Sequence, residues 1–73
     1  MDDVLSKAVE LAKEDIIGYL MKSVNRNVSL IVSMTNDLKT CVKEEKSQHL
    51  RILIQKHELE LKAIEYMIIR IKE

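Results

Sequence analysis

The sequence predicts an all-α protein, a helical hairpin of two long antiparallel helices, on three observations. The 73 residues contain no proline and one glycine, Gly18, so the punctuation that tight turns and phosphate-cradling loops need is missing. Hydrophobic residues make up 47% of the chain but aromatic ones only 3%, which leaves Ile, Leu, Val, Met and Ala to build the core, a mixture suited to helix seams. Apolar residues recur in steps of three and four over most of the length.

The first helical region is expected over residues 3–43. Asp2 or Asp3 can cap its start, and Leu5, Val9, Ala12, Ile16, Leu20, Val24, Val28, Ile31, Met34, Leu38 and then Cys41 or Val42 trace one helical face. Two features compete with this reading. Asn25, Arg26 and Asn27 are weak helix formers, and Val28, Leu30, Val32 and Met34 alternate as a strand would. Helix is preferred because a strand needs a neighbour to satisfy its backbone, and no second alternating segment is present. A break near residues 25–27 would turn the one long helix into two.

Residues 44–47 lack apolar side chains and are expected to form the turn, with Ser47 as N-cap of a second helix over residues 48–72. There the pattern becomes heptads. Ser47, Ile54, Leu61 and Ile68 fall on one core position and Leu50, His57, Ile64 and Ile71 on the other, a coiled-coil-like seam. Glu58 with Lys62, and Lys56 with Glu60, add i,i+4 support of about 0.2–0.5 kcal/mol per pair. His57 is the polar member of the seam, placed where it can set register or partner number. An apolar replacement there is expected to add stability and loosen that choice.

The same helix carries a second stripe. Ile52, Leu59 and Tyr66 repeat every seven residues on its opposite side, accompanied by Ala63 and Ile69, and one hairpin partner cannot cover both faces. Either the first region folds around the helix as two helices, or another chain covers the stripe. So small a core favours another protein chain, a hetero-partner or a second copy, making these five residues the candidate protein-binding set.

Seventy-three residues make one domain at most, too little to enclose a roomy catalytic cleft. Cys41 has no second cysteine to pair with, and the acidic start lacks the positive charge of a secretory leader, so a cytoplasmic location is expected. The longest apolar runs fall far short of the roughly 18–20 residues of a membrane span. A formal net charge of zero, with only Tyr19 and Tyr66 as aromatics, argues against nucleic acid, although Lys56, Lys62, Arg70 and His49 share a side of the second helix. His57-Glu58-Leu59-Glu60-Leu61 opens like a zinc-protease helix, but Leu61 stands where the second histidine must be. No metal, cofactor, catalytic residue or small-molecule substrate is expected, and the chain is read as a binding protein rather than an enzyme.

Ser47-Gln48-His49-Leu50 and Lys62-Ala63-Ile64-Glu65-Tyr66 resemble the second helix of the small co-chaperones of type III secretion needle subunits. The resemblance covers little more than the second half of the chain. The first helical region here is longer and the turn has no glycine. It implies a cytosolic helical hairpin that pairs with a larger helical-repeat chaperone and keeps an aggregation-prone needle subunit soluble before export. The alternative from the residues alone is a self-associating bundle of the plasmid or phage regulator type, binding RNA or a host protein.

Overall fold

The computed structural model describes residues 2–73, without the side chain of Asp2. Two helices account for nearly all of it: α1, Asp2–Thr40, of 39 residues, and α2, Glu44–Lys72, of 29 residues, packed along each other as an antiparallel hairpin. No strand occurs among the described residues. Val28 to Met34 lie inside α1, as does the weak segment Asn25 to Asn27, which neither breaks nor bends into a second helix. The expected capping of α1 by Asp2 or Asp3 falls at the edge of the described residues, since α1 begins at Asp2 and Met1 is not described.

The turn lies earlier than expected. Residues 41–43 connect the helices, and Glu44 to Ser47, read from the sequence as the turn, form the first turn of α2. Lys43, in extended conformation, takes the N-cap position without a side-chain cap bond, and the Ser47 amide donates to its carbonyl at 2.9 Å. Glu44 and Glu45 favour this start because their carboxylates face the positive end of the helix dipole. Ser47 is therefore not a cap. It is buried at the seam, where a small side chain lets the two helices converge beside the connection.

The seam on α1 is also rotated slightly from the expected face. Ile17, Leu20, Val24, Asn27, Ile31, Met34, Leu38 and Cys41 turn toward α2, following a strict four-three alternation, whereas Ile16 and Val28 are exposed and Val42 projects from the turn. On α2, Ser47, Leu50, Ile54, His57, Leu61, Ile64, Ile68 and Ile71 form the facing row. Among the described hydrophobic residues only Leu50 and Ile68 are nearly closed to solvent, at 7% and 8% exposure. Two helices can bury no more, because each has a single neighbour.

The molecule is a rod, 64 × 15 × 11 Å, with a radius of gyration of 17.7 Å against about 11 Å for a compact domain of this length. Part of that length is unpaired. Lys72 lies fifteen residues beyond His57 and Ala12 fifteen before Asn27, so α2 ends alongside Ala12. Residues 3–12 of α1 extend past it as an exposed arm.

Candidate functional site

Midway along the rod the apolar seam is interrupted by one polar layer. Asn27, 6% exposed, stands opposite His57, with Asn27 Oδ1 and His57 Nδ1 at 2.8 Å. The Asn27 amide nitrogen donates to the Ser23 carbonyl one turn earlier, at 2.9 Å. That carbonyl can only accept, so the amide oxygen must face the ring and His57 Nδ1 must carry the donated hydrogen. Glu60 Oε2 lies 3.6 Å from the same nitrogen, half exposed, and adds a weak electrostatic contact. The layer fixes alignment: sliding either helix by one heptad would set Asn27 and His57 against aliphatic side chains and leave both unpaired.

Sequence reasoning singled out His57 but missed its partner. Asn27 is a weak helix former by propensity, yet Leu20, Asn27, Met34 and Cys41 are spaced by sevens, and that spacing places it in the seam. Among the described residues no three His, Cys, Asp or Glu side chains gather as metal ligands. Cys41 is half-buried beside the turn, its thiol 3.4 Å from the Lys43 carbonyl.

The outer face of α2 is the other candidate surface. Ile52, Leu59, Tyr66 and Ile69 are all exposed, between 58% and 64%, and Ala63 is exposed beside them. The seam residues Leu50, Ile54, His57, Leu61, Ile64, Ile68 and Ile71 point the other way and are buried or half-buried. α1 remains one helix and lies on one side only, so no part of the described chain reaches the outer stripe. Along its middle the stripe is bordered by Gln55, Lys56, Lys62 and Arg70, while Glu45 and Glu73, seven residues before Ile52 and seven after Tyr66, stand at its two ends. The acidic residues Glu58, Glu60 and Glu65 stand nearer the seam.

An open apolar groove runs along one flank between the helices, lined by Met21, Val24, Glu65, Ile68 and Ile69. It is continuous with the outer stripe through Ile69. Among the described residues no helix is long and apolar enough to cross a membrane. No family model, curated protein or solved structure matches the chain.

Proposed function

We propose that this protein is a non-catalytic binding subunit that packs the outer face of α2 against an amphipathic helix of another protein. One observation carries the reading: Ile52, Leu59, Tyr66 and Ile69 form an apolar stripe on a rigid helix whose opposite face is already occupied. Covering it supplies roughly 25 cal/mol per Å² of apolar area withdrawn from water, less the cost of association. The Lys56, Lys62 and Arg70 border favours a partner whose own apolar stripe is flanked by Asp and Glu. The resemblance of α2 to the needle-subunit co-chaperones makes the finer form of the proposal a cytoplasmic co-chaperone that shields an export substrate together with a larger helical-repeat chaperone.

The test is capture of the partner in the native host by tagged wild type and by Leu59→Asp and Lys62→Glu. Leu59→Asp is expected to abolish capture while leaving the helicity of the isolated chain intact, and Lys62→Glu to weaken it in a salt-sensitive way. Capture indifferent to Leu59→Asp would remove the outer face as the binding surface. A steep loss on raising salt with wild type, unaffected by Leu59→Asp, would instead favour the RNA-binding alternative.

A further inference from the structure

We infer that one flank of the hairpin is a self-association surface, on which two copies of this chain pair side by side, with their connections at the same end, into a four-helix bundle. Beside the seam each helix carries a third row. On α1 it runs Ile16, Ser23, Leu30 and Asp37, each just before a seam residue, and on α2 it runs Lys46, Leu53, Glu60 and Met67, placed in the same way. In an antiparallel pair these two rows share one side of the seam. On the other side Met21 and Glu65 line the open groove, and α2 is charged throughout, with Arg51, Glu58, Glu65 and Lys72. Two apolar positions per heptad suffice for a two-stranded pair, whereas a third on the same side is the pattern of a helix that faces a bundle core. Ile16, Leu30 and Met67 supply it while still 49%, 40% and 44% exposed, and Leu53 is half-buried beside them.

The order of the two rows selects a second copy as the occupant. Counted from the contact of Asn27 with His57, Ile16 is level with Met67, Ser23 with Glu60, Leu30 with Leu53 and Asp37 with Lys46, each within one residue. A two-fold axis parallel to the rod sets α1 of each copy antiparallel against α2 of the other at unchanged level. Apolar layers then meet apolar layers on both sides of the polar one, the Ser23 hydroxyl faces the Glu60 carboxylate as a donor, and Asp37 faces Lys46. Arg26 of one copy and Lys56 of the other approach at the rim of the polar layer, where Glu60 and solvent offset their repulsion.

Other arrangements of the same flank match less well. A two-fold axis across the rod sets α2 against α2. Centred on Glu60, so that Leu53 covers Met67, it opposes two carboxylates; centred on Leu53, it leaves Ile16 and Met67 uncovered. The parallel axis also gives every helix a second antiparallel neighbour, as in an up-down bundle. That cover is what the thin seam lacks, since among the described hydrophobic residues it closes only Leu50 and Ile68 from solvent.

This flank is separate from the outer face of α2, so the two are tested independently. Sedimentation equilibrium of the pure, full chain is expected to show a dimer in the micromolar range. Leu30→Asp and, in a second variant, Ile16→Asp are each expected to weaken it on the order of a hundredfold, as burial of an unpaired carboxylate does, with helicity and Leu59-dependent capture retained. The arrangement is read by mixing two chains in a Cys41→Ser background, one carrying Asp37→Cys and the other Lys46→Cys with a mass tag. A short bismaleimide should join the unlike chains and leave like chains unlinked. A monomer across the micromolar range, a dimer indifferent to both aspartate variants, or cross-links that are absent or as frequent between like chains would each overturn the inference. A dimer lost with Leu59→Asp instead would place self-association on the outer face of α2. Loss of the Leu59 dependence of capture with the dimer intact would remove the proposed function alone.

Discussion

The inner and outer faces of α2 are built from the same kinds of residue at the same period, yet they have opposite fates. Ile54, Leu61 and Ile68 repeat by sevens and face α1; Ile52, Leu59 and Tyr66 repeat by sevens and face solvent. Hydrophobicity alone therefore does not decide which face folds the hairpin. What distinguishes them is the polar layer: the inner row contains His57, which matches Asn27 on α1, whereas the outer-row residue nearest that level, Leu59, offers Asn27 no hydrogen bond. An apolar stripe can pack on any other apolar stripe, but a buried amide and imidazole accept few arrangements.

The comparison breaks most visibly under a charge placed on each face. Leu61→Asp puts a carboxylate in the seam, and the several kcal/mol this costs is comparable to the whole stability of a small domain. Thermal unfolding followed by circular dichroism should show loss of the cooperative helical transition. Leu59→Asp, at a position 60% exposed, should melt within a few degrees of wild type when the chain is compared as a monomer. Equal destabilisation by both would mean that the outer face contributes to the fold of the single chain.

Smaller effects are expected at the polar layer, where the structure changes the expectation drawn from the sequence. His57→Leu is not a simple gain of apolar area, because it leaves Asn27 Oδ1 without a donor at a site only 6% exposed. Each single change, Asn27→Leu or His57→Leu, should therefore cost about 1–3 kcal/mol. The double variant should recover most of that loss, while permitting shifted alignments of the helices. A double-mutant cycle by urea denaturation measures the coupling. Additive losses would show that the Asn27 to His57 bond contributes nothing. A double variant that keeps one alignment, read from a spin-label distance between α1 and α2, would show that the aliphatic layers alone specify register.

Much of this architecture was legible in the chain. The heptads of α2 stand out because every seam position from Leu50 onward is aliphatic except His57, and the absence of proline leaves helix as the consistent outcome. The α1 seam was harder to read. Between Ile16 and Ile17, and between Asn27 and Val28, local hydrophobicity does not identify the inward residue, and the choice depends on His57 some thirty positions away. The turn was misplaced for a related reason. A run of polar residues marks exposure, and the first turn of a helix can be as exposed as a loop. For the outer stripe, the sequence supplied the residues while the structure supplied their surroundings, since only a continuous α1 shows that no second segment of the chain folds over them.

Gly18 provides the baseline against which the effects on both faces are read. It lies within α1 beside the seam residue Ile17, and a methyl group added there would meet nothing within 4 Å. Its backbone does not adopt a positive φ, so glycine is not required by conformation. Replacing it by alanine changes only the freedom of the unfolded chain and the helical preference of the residue. Gly18→Ala should therefore stabilise the monomer by about 0.5–1 kcal/mol, the smallest effect considered. Because the site does not lie on the outer side of α2, partner capture should not change. Stabilisation without change in binding is the behaviour of a helix that is already continuous at this point. A loss of stability would mean that α1 needs glycine to bend here, and the straight rod that leaves the arm and the outer stripe uncovered would have to be reconsidered.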